Sequence, residues 1–368
     1  MRVLQLVTQD RGGPVDHAAE VAAELARLGH DSHLVGPPGA YLAHAARLGV
    51  STHPAAMNGK GDVAGARAVA AVVAAVRPDV VHLQDRRAGL VGRVLATGRR
   101  IPSVYTLHGV PDELAPLVSG NLAIAPGRIR HRWAYLFLER LLARAPRSVV
   151  VTPCAALAVY ARDHVRIPGD RVRAVPNGVG PAWLATGPAR PEHPHPRATW
   201  LGVMQPVKRV PELVRAAARV PGLQLQLVGD GPERGLVEQA VAATGTGRTV
   251  RLAGYRSDPA PYLRDTDMFV LPSAAEACPM AMLQAMACGV PVIASRVGGV
   301  PEIVRSGVDG LLVDPGADDQ LVAALALLAE DVRLRQRLGD AGRARVASHF
   351  GIEHTVRSLL TIYEELAG

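Results

Sequence analysis

What most constrains this chain is an alternation of short apolar runs with longer stretches of helical spacing. The alternation starts at the first residues, breaks once in a proline-rich segment, and starts again. In the first half, Met1–Val7, Ser32–Val35, Val80–Leu83, Ser103–Leu107 and Ser148–Thr152 read as buried strands. Val15–Leu28, Val63–Val76 and Arg128–Ala145 carry apolar residues at helical spacing, and Gly29 closes the first of them, a helix C-terminal signal. Ala185–Arg197, ATGPARPEHPHPR, has no period and reads as a linker. Beyond it, strands are expected at Thr199–Val203, Leu223–Val228, Val250–Leu252, Met268–Leu271, Pro291–Ala294 and Gly310–Val313. Helices are expected at Val210–Val220, Arg234–Ala243, Pro279–Cys288 and Asp318–Leu328, and two more, Asp331–Ser348 and Ile352–Leu366, close the chain. Strand–helix alternation predicts parallel sheets covered on both faces. The expected architecture is α/β: two doubly wound, Rossmann-like domains facing across a cleft. Their spans are 1–184 and 198–348, joined by a linker at 185–197 and followed by a terminal helix at 349–368. Such sheets bind ligands beyond the C-terminal ends of their strands, so the shared cleft is the default site.

Composition removes several classes. At 368 residues with 48% hydrophobic and 20% charged residues, the chain has material for two cores and is not disordered overall. No run approaches the ~20 apolar residues of a membrane span, and Gln9-Asp10-Arg11 follows the first apolar run too soon for a signal peptide. The three cysteines, Cys154, Cys278 and Cys288, form no CxxC and are odd in number, which argues against a disulfide scaffold or a structural zinc site and for a reducing cytoplasm. The net charge of +8 is almost all arginine, Lys60 and Lys208 being the only lysines. Basicity speaks to partners rather than fold. No nucleic-acid-binding module accompanies the charge, so nucleic acid is not an expected partner.

Three glycine-containing loops follow predicted strands. Gly12-Gly13 follows the first, but neither GxGxxG nor GxxxxGK[ST] is present, and a tight structural turn reads as well as a phosphate loop. Gly229-Asp-Gly231-Pro-Glu-Arg-Gly235 is one residue too long for a dinucleotide fingerprint and reads better as a strand-to-helix turn. The most informative stretch is Leu271–Gly289, which leads from a strand into a helix that is apolar all round and hence buried. Backbone amides near Cys278, Pro279 and Met280 would open that helix, where unpaired donors meet the positive dipole end and favour an anion. Glu276 lies just before this terminus. Gln284 is the lone side-chain amide within the helix, so it needs either a core partner or a ligand hydroxyl.

Taken together these residues resemble the retaining glycosyltransferases of family four, which have the two-domain GT-B fold. The match runs nearly end to end: Gly12-Gly13 with His17, Gly29-His30, Tyr105-Thr-Leu-His108-Gly109, Pro176-Asn177-Gly178-Val179, Gly202…Lys208, Val228-Gly-Asp-Gly-Pro232, Pro272–Gly289, Pro291-Val-Ile-Ala-Ser, Gly298-Gly299-Val-Pro-Glu302 and Gly310-Leu-Leu-Val. The resemblance implies an acceptor-binding first domain, a nucleotide-sugar-binding second domain and a last helix that crosses back to the first. It implies that Glu276 holds sugar hydroxyls and that backbone amides in the stretch Cys278-Pro279-Met280 help orient the sugar. Lys208 and the Gly202 loop would lie against the diphosphate, with Gly12-Gly13 close to phosphate and sugar. His108 would contact the sugar beside the reacting carbon, and Gly254-Tyr255-Arg256 would face the base. The implied donor is a UDP- or GDP-type sugar, and the implied acceptor is a hydroxyl on a glycan, lipid or natural-product aglycone.

Two positions depart from the family pattern. Gln284 stands where a ribose-binding glutamate is usual, and Val203 where an arginine on the diphosphate is usual. Both changes weaken charge-assisted contacts. They also support an alternative, a weak or silent homologue that serves another transferase as a binding partner.

Two features read as decoys. Asp265-Thr-Asp267 looks like a metal-binding DxD, but it precedes a strand on a short turn where Asp is common. No metal or other cofactor is expected; a pyridoxal enzyme would need a Schiff-base lysine, and neither Lys60 nor Lys208 sits in such a context. His193-Pro-His195 has no further ligands nearby in sequence. Finally, Arg128–Arg144 is arginine-flanked and carries Trp133, Tyr135 and Phe137. It reads first as a core helix with solvated arginines, and second as a peripheral contact with an anionic bilayer at the inner membrane face.

Overall fold

The computed structural model describes residues 1–59, 61–124, 129–189, 191 and 193–368, and the backbone alone for 129–131. Lys60 and Arg128 lie outside the described residues. The chain forms two compact units. The first comprises Met1–Val110, Gly127–Gly180 and Ile352–Gly368; the second comprises Pro111–Pro126 and Pro181–Gly351.

The first unit is built on strands β1 (Arg2–Leu6), β2 (Asp31–Gly36), β3 (Ser51–Pro54), β4 (Val80–Leu83), β5 (Ser103–Thr106), β6 (Ser148–Thr152) and β7 (Val172–Ala174). They form one parallel sheet in the order β3-β2-β1-β4-β5-β6-β7. β4 and β6 are buried along their whole length, as strands covered by helices on both faces must be. The closing helix Ile352–Ala367 packs Val356, Leu359, Ile362 and Tyr363 against Val3, Val80, Val104 and Val149 of this sheet. Thr355 Oγ1 donates to the Pro176 carbonyl at 2.8 Å and pins the helix start.

The second unit carries β8 (Arg197–Leu201), β9 (Gln224–Val228), β10 (Val250–Gly254), β11 (Met268–Leu271), β12 (Val292–Ser295) and β13 (Leu311–Val313). Its sheet is also parallel, in the order β10-β9-β8-β11-β12-β13. In each sheet the strand order reverses beside the first strand, at β1/β4 and at β8/β11. A crevice opens at such a switch point beyond the strand ends.

β3 and β7 are absent from the sequence reading. Both are short edge strands; β3 is half-exposed and ends in proline, and β7 has three residues, so neither carries an apolar run. The segment 111–126 also departs from expectation. Read as part of a 1–184 domain, it groups with the second unit, because Leu122 N donates to Ala274 O (2.9 Å) and Ser119 O accepts from Gly298 N (3.1 Å). The helix Ile129–Leu142 is only partly a core helix. Glu139 is buried against Arg93 and the Tyr135 hydroxyl is buried too, whereas Trp133 and Phe137 are each 69% exposed, so the core reading fails for those two rings. Among the described residues no helix is long and apolar enough to cross a membrane.

Candidate functional site

In the second unit the candidate residues sit on the loops that leave β8, β9, β10 and β11. Lys208 Nζ donates to Glu276 Oε1 at 2.6 Å, and Ser273 Oγ donates to the same oxygen at 2.7 Å. The Glu276 side chain is 8% exposed and that of Lys208 23%, so the pair is largely shielded from water but reachable. Two backbone contacts set the loop geometry. Ala274 N donates to Val207 O at 2.7 Å, tying the Glu276 loop to the Lys208 turn. Gly298, at φ +46°, passes so close that a Cβ there would overlap the Glu276 carbonyl oxygen, which explains a glycine at this position. Glu276 is thus held from both sides.

The helix Met280–Ala287 follows. Pro279 is its N-cap, no side chain caps it, and every residue from Met282 to Ala287 is buried, Gln284 included at 5% exposure. Cys278 and Met280 are buried with it. Its first amides lack intrahelical acceptors, as in any helix, and lie within four residues of Glu276.

Gly202 and Gly229 stack closely: a Cβ on Gly229 would overlap the Gly202 carbonyl, and one on Gly231 would come within 2.5–2.9 Å of the Met204 backbone. These glycines therefore serve loop-on-loop packing, and Gly202 N bonds to Val228 O at 3.1 Å. Gly254 ends β10 at φ +72°. Tyr255 is 47% exposed, and Arg256 is turned onto Tyr262, its Nε donating to the hydroxyl at 2.6 Å. Val203 follows Gly202 with no cation beside it in sequence before Lys208.

Asn121 was not legible as a site residue. It lies in the 111–126 segment, and its Oδ1 is buried without a partner, 3.2 Å from where a Gly298 Cβ would stand. An orphan buried acceptor is costly, and a ligand hydroxyl beside Glu276 would satisfy it. Only a tertiary contact reveals it.

The Asp265–Asp267 pair is engaged. His193 Nδ1 meets Asp267 Oδ2 at 2.9 Å and its Nε2 meets Asp265 Oδ1 at 3.0 Å; Arg197 bonds Asp265, and Arg335 lies 3.6 Å from Asp267. The linker histidine and the DxD carboxylates, read separately in sequence, clamp each other. Among the described residues no group of three or more His, Cys, Asp or Glu is arranged to hold a metal.

In the first unit the candidate residues leave β1, β4 and β5. Gly12 is the N-cap of the helix Gly13–Arg27 at φ 101°, ψ 171°, a conformation open essentially to glycine alone. Nothing lies within 4 Å of a Cβ there, so backbone conformation rather than crowding demands the glycine. Asp85, missed in the sequence, joins two loops: it accepts from Thr8 N and Oγ1 at 2.5 and 2.6 Å and caps the helix Arg86–Arg99 through Arg87 N and Ala88 N. Its signal was that of any N-cap aspartate.

His108 ends a buried polar chain. Its Nε2 meets Gln84 Oε1 at 2.9 Å; Gln84 Nε2 donates to Gln5 Oε1 at 2.7 Å, and Gln5 Nε2 lies 3.5 Å from the Tyr363 hydroxyl. That hydroxyl meets His82 Nδ1 at 2.6 Å, and His82 Nε2 meets Thr106 Oγ1 at 2.6 Å. Because the Gln84 amide spends its N–H on Gln5, its carbonyl must accept from His108. Neutral His108 then carries its proton on Nε2 and leaves Nδ1 as an acceptor. Burial, with smaller contributions from His17 and His82, holds His108 well below the ordinary imidazole pKa. Burial likewise holds His82 well down and brings His17 down to about 4. The His17 ring meets His108 edge-on at 5.1 Å, and its Nδ1 is buried without a partner. This group is neutral at pH 7 and bonds through fixed donors and acceptors.

Two parallel, doubly wound sheets with glycine turns at their switch points have the GT-B kind of architecture, and comparison with known proteins agrees. Residues 11–183 match the family model Glycosyltransferase Family 4, and residues 190–345 match Glycosyl transferases group 1. The chain is 30% identical to the alpha-maltose-1-phosphate synthase of Mycobacterium tuberculosis, over 96% of both sequences. It is 31% identical to the D-inositol 3-phosphate glycosyltransferase of Thermobispora bispora, covering 78% of this chain and 71% of that one. Among solved structures, Anabaena Alr3699/HepE in complex with UDP-glucose superimposes with a TM-score of 0.82 at 20% identity, covering 99% of this chain and all of that one. The chain belongs to glycosyltransferase family 4 and is a glycosyltransferase of the GT-B fold.

Proposed function

We propose that this protein transfers a sugar from a UDP- or GDP-type donor to an acceptor hydroxyl with retention of anomeric configuration and without a metal ion. The observation that carries the reading is the Lys208–Glu276 pair, held at 2.6 Å beside the uncapped N-terminus of a buried helix. Breaking the bond between the anomeric carbon and the phosphate oxygen places negative charge on the departing diphosphate and positive charge on the ring. Fixed donors stabilise the first without reorganising. Lys208 and the backbone amides that open the helix at Met280 suit that role. In the resting protein Glu276 neutralises Lys208; donor binding would exchange that bond for one from Lys208 to the diphosphate and release Glu276 to sugar hydroxyls. The Gly202 loop and Gly254-Tyr255-Arg256 would border the nucleotide, and Gln284 the ribose.

To the first unit the reading assigns His108, with its Nε2 proton committed to Gln84, and the Gly12-Gly13 turn. A neutral imidazole accepts from a sugar hydroxyl through Nδ1 and adds no charge to repel the developing cation. Once Lys208 turns to the diphosphate, the reading commits Glu276 to sugar hydroxyls rather than to attack on the anomeric carbon. Attack from the departing face, with the phosphate oxygen taking the acceptor proton, needs no carboxylate nucleophile. Metal independence is supported by the engagement of Asp265 and Asp267 with His193, Arg197 and Arg335. The UDP-glucose complex of Alr3699/HepE makes UDP-glucose the first donor to try.

Incubating the protein with a panel of UDP- and GDP-sugars and acceptors, with and without EDTA, and reading the product anomeric proton by NMR tests this reading. The expected product keeps the donor configuration and forms equally with EDTA. An inverted product, or loss of turnover on chelation that added metal restores, contradicts it. Failure to bind any nucleotide would instead favour the silent-homologue alternative motivated by Val203 and Gln284.

A further inference from the structure

The helix Ile129–Leu142 presents two different faces. Inward, Glu139 meets Arg93 at 2.7 Å, with side chains 8% and 0% exposed. Outward, Trp133, Phe137 and Leu141 follow one another at every fourth position, so they line one face. They are 69%, 69% and 57% exposed, and Leu138 beside them is 38% exposed. Exposed apolar residues scattered singly need no explanation, but a contiguous aromatic and leucine stripe does. Trp200, Phe269 and Phe350 are all buried, and Tyr255, at 47%, is less exposed than either Trp133 or Phe137.

Charge narrows the choice of partner. Arg140 stands on the same outward side, three residues after Phe137; Arg144 follows in the turn after the helix, its Nη2 reaching the Arg166 carbonyl at 3.5 Å, and both are exposed. Among the described residues neither Arg132, Arg140 nor Arg144 forms an ion pair. Glu139, the one carboxylate in the helix sequence, is turned inward and neutralised by Arg93. The outward face is therefore apolar at its centre, cationic at its edge and free of acidic groups. A face that met a second copy of itself would bring arginine against arginine. A bilayer with anionic headgroups accepts rings and leucines at the acyl boundary and pairs the guanidinium groups above it.

We infer that the outward face of the helix Ile129–Leu142 docks on an anionic lipid surface, through Trp133, Phe137 and Leu141 with Arg140 and Arg144. The inference stands apart from the reading of the donor site. It requires no spanning segment, only interfacial contact.

Vesicles of phosphatidylcholine containing about 30% phosphatidylglycerol, compared with pure phosphatidylcholine, test it. The full-length protein should co-sediment with the anionic vesicles at low salt, and its tryptophan emission should shift to the blue. Partitioning should fall roughly tenfold or more in high salt. A Trp133→Ser/Phe137→Ser variant should lose roughly tenfold or more in partitioning, while its melting temperature stays unchanged, because both side chains are mainly in water in the folded protein. An Arg140→Gln/Arg144→Gln variant should lose the preference for phosphatidylglycerol. Absence of co-sedimentation with anionic vesicles overturns the inference, as does binding that the first variant retains. So does sedimentation equilibrium showing a dimer that the first variant abolishes, which would assign the face to a second copy of the chain.

Discussion

The two units share a parallel, doubly wound sheet and place their candidate residues beyond the same strand ends, yet they furnish those ends with opposite chemistry. The second unit supplies charge: Lys208 and Glu276, with Ser273 on the same carboxylate oxygen. The first supplies neutral groups: His108, His82 and His17, whose pKa values are all lowered by burial, linked or flanked by Gln84, Gln5 and Tyr363. Gly12 stands in open space in a conformation closed to other residues, whereas Gly229 and Gly298 are crowded against neighbouring backbone. One fold can thus carry a charged set of loops and a neutral set, because the loops after the strands vary independently of the sheet.

The largest effect expected on the charged side is from Lys208→Met. If the amine stabilises the departing diphosphate, turnover should drop by about 10²–10³-fold at matched folded concentration, the melting temperature falling as well because Glu276 loses its cation. An equal loss of turnover from an exposed arginine of the same unit, such as Arg219, would show that Lys208 has no special part in the reaction. On the neutral side the matching test is acid. His17 titrates near 4 in the folded chain and near the ordinary value of 6.5 when unfolded. The unfolded state therefore takes up a proton first as pH falls. The stability this group confers is complete above about pH 6.5 and is lost as pH falls through about 4, amounting to about 3.5 kcal/mol at about 1.4 kcal/mol per unit. His82 and His108 act in the same direction. Chemical denaturation between pH 7 and 4 should show that decline, and His17→Leu should flatten part of it.

A smaller effect separates the two kinds of glycine. Gly12→Ala has room for its methyl group but must hold φ near 101°, so it should cost about 1–3 kcal/mol through strain alone. Thermal denaturation reads it, and a neutral outcome would mean that the turn relaxes. The smallest is Gln284→Glu. If Gln284 meets a ribose, the carboxylate should tighten nucleotide binding by about 1 kcal/mol in calorimetry. At 5% exposure the competing outcome is a lower melting temperature from a buried charge.

Strand–helix alternation was enough to read the two parallel sheets, and Val80–Leu83, Ser148–Thr152 and Met268–Leu271 fall where the apolar runs put them. What stayed hidden has a common cause. β3 and β7 are edge strands whose pairing depends on their neighbours, not on their own patterns. Asn121, Asp85 and the chain from His108 through Gln84 and Gln5 to Tyr363 join residues up to 358 positions apart, which no local period encodes. Trp133 and Phe137 looked like core because aromatic residues usually are; only the burial of Glu139 on the opposite face reveals which side turns outward. Lys208 and Glu276 were named through family resemblance, and their direct bond emerged from the fold.

The central claim is that Lys208 and Glu276 serve an activated sugar. Nucleoside diphosphate release from a UDP- and GDP-sugar panel, measured for the native protein and for Glu276→Ala at matched folded concentration, tests it most directly. The account predicts release from at least one donor and its loss by about 10²-fold or more in the variant. Release that Glu276→Ala leaves intact would contradict it.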